Sequence, residues 1–146
     1  MSVQVTENDE GRSFRLCLPA TPSSSAIFRE SLREWLLSHL LQPADVFDIV
    51  LACSESLTLA IEDRPRQTAL VVEVTAVLEG TLLVVKTRDY GLWHESHALP
   101  CEEPLGLSLM RALMDCVELE RHPDGQTVTL IRRVRGGASG RSALLL

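Results

Sequence analysis

The sequence predicts an α+β protein, a two-layer sandwich in which helices cover one face of a mostly antiparallel sheet. The predicted elements follow the order β-α-α-β-β-α-β-β, which is typical of this class. Two turn signals, Glu79-Gly80 and Asp124-Gly125, each join two strand-like segments into a hairpin. Two long amphipathic segments precede the first hairpin, and each has an apolar side suited to packing on a sheet.

Length and composition limit the class of protein. The chain has 146 residues, which fits one domain with a substantial hydrophobic core. Its hydrophobic fraction of 45% and charged fraction of 23% are those of globular proteins. The net charge of -6 argues against direct nucleic-acid binding and against binding to anionic membranes, because both need a basic surface.

The termini and the cysteines indicate a cytoplasmic protein. The first 12 residues lack the apolar segment of a signal peptide, and no segment reaches the roughly 18 apolar residues of a membrane span. We therefore predict one domain over residues 13–135, between flexible segments at 1–12 and 136–146. The four cysteines are scattered without a paired spacing, and we predict buried thiols for Cys53 and Cys116.

The first forty residues contain a strand and a helix. Phe14, Leu16 and Leu18 alternate with other residues at the period of a half-buried strand. Prolines end this strand, and the serines at 23–25 supply an N-cap for a helix that runs to about Leu41.

A second helix begins near Pro43 and ends at Arg64-Pro65. One of its sides is acidic without any Lys or Arg, and Leu59 lies in the middle of that side, one turn after Glu55. Such a surface is solvated, binds a cation or a nucleotide, or meets a basic partner. The apolar side consists of Val46, Val50, Cys53, Leu57, Ala60 and Ile61, and the acidic side of Asp45, Asp48, Glu55, Glu62 and Asp63.

The second half of the chain places a long loop, 89–104, and a short helix, 105–114, between the two hairpins. A loop of this length inside a compact domain is usually functional or mobile. The paired strand-like segments are 69–78 with 81–88, and 117–121 with 126–133.

Residues suited to chemistry occur at three separated points. Glu55 lies on the acidic helix side, and Asp89 and Gly91 follow a strand. An ionised carboxylate only accepts hydrogen bonds, so an Asp at a strand end suits an exocyclic amino group such as that of adenine. Gly106 opens a helix, where backbone N–H groups can approach a phosphate, and Thr127 enters a strand. Each signal alone also fits an ordinary turn or a packing glycine.

Four segments together carry a family resemblance: LACSESLTLA at 51–60, RDYG at 88–91, LGLSLMRALMD at 105–115 and GQTV at 125–128. They resemble the successive boxes of the anti-sigma factor serine kinases, small bacterial members of the histidine-kinase-like, gyrase/Hsp90-type (Bergerat) ATPase fold. The resemblance spans roughly residues 13–133. It implies ATP bound between helices and sheet, a homodimer, binding of an RNA polymerase sigma factor, and phosphorylation of a serine on a STAS-type anti-anti-sigma partner.

The resemblance also implies a role for each matching residue. Glu55 matches the catalytic carboxylate, the general base for the attacking serine hydroxyl. Asp89 matches the adenine-contacting Asp, with Gly91 the glycine beside it. Gly106 matches the glycine at the phosphate-facing helix start, and Thr127 the threonine that reaches toward adenine and Asp through water.

Three positions depart from the family pattern. Leu59 stands where the family has an Asn that holds Mg²⁺, and an alkyl side chain offers no oxygen to that ion. Trp93 replaces the second glycine of the DxGxG pattern, and Pro104 replaces the glycine that usually starts the lid helix. We therefore expect weakened nucleotide binding without Mg²⁺ ligation. A cation held by Glu55 and Glu62 is the less favoured alternative.

The long loop contains a second candidate site. His94, His97 and Cys101 have the spacing His-x2-His-x3-Cys, which suits Zn²⁺ with a nearby Glu as fourth ligand. No second ligand pair with the usual spacing accompanies them, so a metal-free loop is favoured.

Three functions follow from these patterns. The first is an anti-sigma-factor-type regulator that holds a sigma factor and switches to an anti-anti-sigma partner, which survives the loss of Mg²⁺ ligation. The second is an active ATP-dependent serine kinase with Glu55 as base. The third and weakest is a metal-sensing regulator that uses the loop segment 94–101.

Overall fold

A computed structural model describes residues 4–7, 13–39, 41–62, 71–90 and 105–134. Within these ranges the chain forms six strands and three helices. In chain order they are β1 (Gln4–Glu7), β2 (Ser13–Pro19), α1 (Ser24–Ser38), α2 (Pro43–Glu62), β3 (Val71–Glu79), β4 (Leu82–Tyr90), α3 (Leu105–Leu113), β5 (Cys116–His122) and β6 (Gly125–Arg133).

The strands form one sheet in the order β1-β2-β3-β4-β6-β5. All neighbouring pairs are antiparallel, so the predicted α+β fold with two hairpins is confirmed. The edge strand β1 pairs with β2 from Gln4↔Cys17 to Glu7↔Phe14. It lies within the segment 1–12, where no strand is predicted, because four residues are too few to show an alternating pattern.

The three helices lie on one face of this sheet. Helix α1 packs on β2, α2 on β4 and β6, and α3 on β5. Burial alternates along β3 and β4, so every second side chain faces the helices and its neighbours face away. The buried sheet residues include Phe14, Leu16, Leu18, Val72, Val74, Ala76, Leu83, Val85, Val128 and Leu130.

Helix α2 is the centre of the helical layer, in contact with α1, α3 and the sheet. It is buried around more of its circumference than the predicted stripe, because Ile49, Ala52 and Ser56 are buried as well. Leu59, which the sequence places on the acidic side, is partly buried and packs against the hydrophobic core. This leucine therefore contributes to packing whether or not a ligand binds nearby.

The acidic side of α2 meets a cation from the sheet. Arg132 of β6 pairs with Asp45 (Nη2···Oδ1 2.7 Å) and with Asp48 (Nη1···Oδ2 3.2 Å). The same guanidinium donates to the carbonyl oxygen of Leu113 at 2.9 Å. Although the helix sequence lacks a basic residue, its first two acidic residues are thus neutralised by tertiary contact.

Two contacts fix the direction of α2 along β4. Arg132 lies near the helix start and pairs in register with Leu83 of β4. Farther along both elements, the hydroxyls of Ser56 and Thr87 share a buried hydrogen bond of 2.8 Å. Helix and strand therefore run in the same direction.

The cysteines differ in exposure. Cys53 of α2 is buried as predicted, and burial raises the pKa of its thiol well above the usual range. Cys116, predicted to be buried, is exposed. The reason is the alternation of β5, which turns Val117 instead of Cys116 toward the core.

Loss of the Arg132 ion pairs should destabilise the fold. We expect Arg132→Met to lower the free energy of unfolding by about 2 kcal/mol, because Asp45, whose side chain is 13% exposed, is left without its cation, and Asp48, whose side chain is 36% exposed, loses a weaker ion pair. Urea denaturation would measure the change. Arg133→Met is the matched control, because its side chain is exposed, and should change stability by less than about 0.5 kcal/mol. Equal losses in the two variants would contradict this role for Arg132.

Candidate functional site

Asp89 is a buried carboxylate near the end of β4. It follows Leu83, Val85 and Thr87 on the strand face that points to the helices, and its residue is 3% exposed. Its Oδ1 accepts a hydrogen bond from the backbone N–H of Gln126 at 3.2 Å. A carboxylate is retained in such a position only when polar groups satisfy it. The strand pattern therefore places the acceptor group of Asp89 on the sheet face that the helices cover.

Gln126 of β6 lies directly opposite Asp89 in the ladder. Its residue is 1% exposed, and neither Nε2 nor Oε1 of its side chain has a hydrogen-bond partner. We did not predict a role for this residue from the sequence. The sequence feature that could have identified Gln126 is its position: it precedes Thr127 by one residue and therefore lies on the opposite face of the strand.

Gly125 brings β6 close to the backbone of Asp89. Its φ is +145°, and a Cβ at this position would lie 2.0 Å from the carbonyl oxygen of Asp89 and 3.1 Å from its Oδ1. No side chain fits in this space. The glycine at the hairpin turn thus fixes the distance between Asp89 and the start of β6, and with it the position of Gln126.

The structure brings Glu55 and Gly106 together. A Cβ on Gly106 would lie 3.4 Å from Oε1 of Glu55 and 3.7 Å from its Cβ, so α3 begins against this side chain. Glu55 itself is half-buried. Backbone N–H groups in the first turn of a helix have no partner within the helix and suit an anion. A carboxylate that can accept a proton therefore lies beside a helix start that can bind phosphate.

Thr127 is separated from the other predicted site residues. It lies on the sheet face away from the helices, where its hydroxyl accepts a hydrogen bond from Nη1 of Arg88 at 3.2 Å and lies 3.4 Å from Nε2 of His122. A shift of one residue along a strand turns a side chain to the other face. The resemblance implies that Thr127 reaches toward adenine and Asp89 through water, whereas the residue directly opposite Asp89 is Gln126.

Leu59 lies at the position where the resemblance implies a magnesium-ligating Asn. Leu59 offers no oxygen, and the described residues contain no group of three or more His, Cys, Asp or Glu side chains that could hold a metal ion. Several predicted positions lie outside the described residues, namely Gly91, Trp93, Pro104 and the loop residues His94, His97 and Cys101.

The fold matches known proteins. A family model for the histidine kinase-like ATPase domain matches residues 18–132. Among solved structures, the chain is similar to the crystal structure of the RsbU and RsbW domains of Rv1364c from Mycobacterium tuberculosis, with a TM-score of 0.69 and 26% identity. The match covers 84% of this chain and 32% of that chain, so this chain spans about a third of its length. The comparison with curated proteins gave no match. Because the family model covers most of the sequence, the chain belongs to the family of histidine kinase-like ATPase domains.

Proposed function

We propose that this protein is an anti-sigma-factor-type regulator. It binds an RNA polymerase sigma factor and exchanges it for a STAS-type anti-anti-sigma partner, with adenine nucleotide as its small-molecule ligand. The resemblance of the four sequence segments supports this function, together with the family membership and the likeness to the RsbU and RsbW domains. The protein acts in the cytoplasm as a homodimer. No helix in the described part of the chain is long and apolar enough to span a membrane.

The observation that carries the nucleotide part of the proposal is the buried carboxylate of Asp89. It faces the layer between α2 and the sheet, and Gly125 holds the neighbouring strand against it. An acceptor in a low-dielectric position favours a ligand that presents an N–H group. The exocyclic amino group of adenine supplies such a donor, and Asp89 orients the base by accepting from it.

The phosphates extend toward the start of α3. Gly106 has no side chain to cover the first turn of this helix, and Glu55 is the nearest described carboxylate. The helix dipole favours the negative charge of a phosphate at this end. The described residues supply no oxygen at Leu59 for a magnesium ion, so this site retains a nucleotide through the base and the helix start.

A regulator of this kind acts by exclusive binding of two partners. Binding needs complementary surfaces and no group transfer, so it does not depend on an Mg²⁺ ligand at position 59. The net charge of -6 disfavours direct contact with the DNA template. The sigma factor and the anti-anti-sigma protein are accordingly the partners of this chain.

A serine kinase is the alternative function, and the position of Glu55 favours it. This carboxylate lies against the start of α3, where it is placed to take the proton of a serine hydroxyl as that oxygen attacks a phosphoryl group. The same reaction uses Mg²⁺ to neutralise charge on the phosphates, and Leu59 offers no oxygen to that ion. Binding without transfer is therefore the function that we favour.

Removal of the Asp89 charge should weaken nucleotide binding. We expect Asp89→Asn to reduce the affinity for ADP about 30-fold in calorimetric titration, because a charge-assisted hydrogen bond to the base is lost. Asp124→Asn is the matched control, because its exposed carboxylate pairs with Arg88 on the far face of the sheet. The affinity of Asp124→Asn for ADP should equal that of the wild type. Equal affinities in all three proteins would remove Asp89 from the site.

An oxygen at position 59 should restore sensitivity to magnesium. We expect Leu59→Asn to bind ATP about tenfold more tightly with Mg²⁺ than without it, whereas the wild type shows no such difference. Leu59→Ala is the matched control, because it loses the same packing and gains no oxygen. If Leu59→Asn and Leu59→Ala respond equally to Mg²⁺, position 59 is not what prevents metal binding.

Purified partners distinguish the regulator from the kinase. Sigma factors and STAS-domain proteins of the source organism would each be mixed with the protein, and complexes measured by light scattering. We expect a sigma factor complex that a STAS-domain protein dissociates, with no phosphoserine detected by mass spectrometry after incubation with Mg²⁺ and ATP. Phosphoserine that forms with the wild type and not with Glu55→Gln would establish the kinase instead. Absence of every complex would contradict the regulator.

A further inference from the structure

The side-chain amide of Gln126 is a buried polar group without a partner. Both its Nε2 and its Oε1 lack hydrogen bonds, although the residue is 1% exposed. Buried amides in folded proteins are normally hydrogen-bonded, because desolvation without compensation destabilises the fold. A side chain that remains unsatisfied in this way is suited to a ligand that completes its hydrogen bonds.

The neighbours of Gln126 do not use its amide. Asp89 is its direct cross-strand partner, yet the bond between them runs from the backbone N–H of Gln126 to Oδ1 of Asp89. Directly opposed residues on one sheet face have Cβ atoms about 5 Å apart, so the two side chains lie side by side. Together they present one acceptor-only group and one amide to the same space.

We propose that Gln126 is a specificity-determining residue for the nucleobase. Its Nε2–H donates a hydrogen bond to ring nitrogen N1 of adenine, while the exocyclic amino group of the same base donates to Asp89. This inference rests on the proposed function, in which the site takes an adenine nucleotide. It adds a direct contact with the base from Gln126, at the place beside Asp89 where the resemblance implies a threonine that acts through water.

The pair also rejects hypoxanthine. That base carries O6 in place of the amino group and a proton on N1, so it presents an acceptor to the acceptor-only carboxylate of Asp89. The amide of Gln126 can turn its Oε1 toward N1–H, but the contact at Asp89 remains repulsive. Asp89 thus selects a base with an exocyclic amino group, and Gln126 donates a hydrogen bond to the lone pair on N1.

The test compares two ligands on two proteins. Calorimetric titrations would use ADP and 1-deaza-ADP, in which a C–H group replaces N1, with the wild type and with Gln126→Met, which retains the length of the side chain without its amide. We expect the wild type to bind 1-deaza-ADP about tenfold more weakly than ADP. Gln126→Met should bind ADP about tenfold more weakly than the wild type and show no preference between the two ligands.

Two further measurements separate a ligand contact from a structural role. Thr129→Val, on the same strand but on the far face, should retain the preference of the wild type for ADP. Without nucleotide, Gln126→Met should melt at the same or a higher temperature than the wild type, because it removes an unsatisfied buried amide. A lower melting temperature would indicate that Gln126 supports the fold, and would contradict the proposal.

The outcomes distinguish this inference from the proposed function. Equal affinities of the wild type for ADP and 1-deaza-ADP would overturn the role of Gln126 while leaving nucleotide binding intact, and this result needs no variant. A wild type that binds neither ligand would overturn both the nucleotide site and the contact with N1.

Discussion

The position of α2 on β4 is the constraint on which the rest of the site depends. Arg132 holds the start of the helix through two carboxylates, and the bond between Ser56 and Thr87 holds it farther along. Because the two contacts lie at different heights along the neighbouring strands β6 and β4, the helix can neither slide nor reverse without breaking one of them. Glu55 is adjacent to one of these contacts in the chain, so its position follows from them.

A line of polar residues runs between α2 and the sheet, and only some of their side chains are hydrogen-bonded within the described structure. Ser56 and Thr87 hydrogen-bond to each other, and Asp89 accepts from the backbone of β6. Gln126, the next polar side chain in this layer, has no bond to its amide. A half-satisfied polar network is less stable than an apolar core of the same shape. Such a defect is expected where the fold serves ligand binding, and it lies beside the carboxylate assigned to the base.

The fold could be predicted from the sequence because its signals are local. Alternation at Phe14, Leu16 and Leu18 and glycines at the two hairpin turns determine strands and connections without knowledge of distant contacts. Burial of α2 could not be predicted in the same way. The sequence pattern places Leu59 on the acidic side of α2, whereas the packing of a helix on three sides is a tertiary property. Arg132, the cation that pairs with acidic residues of α2, is likewise distant in the sequence.

The sequence indicates the placement of some candidate site residues and not of others, for a related reason. Asp89 and Glu55 lie on faces that strand alternation and helical spacing define, whereas the choice between Gln126 and Thr127 depends on which of two adjacent residues faces the helices. The register of β4 and β6, which pairs Asp89 with Gln126, determines that Gln126 is the residue facing the helices. The resulting site is polar around Asp89 and Gln126, and Leu59 offers it no metal-ligating oxygen. Under the proposed function, a nucleotide bound there would stabilise the domain by mass action, by an amount that rises with the nucleotide concentration and with its affinity. Such binding would set the population of the partner-competent state without any transfer of phosphate.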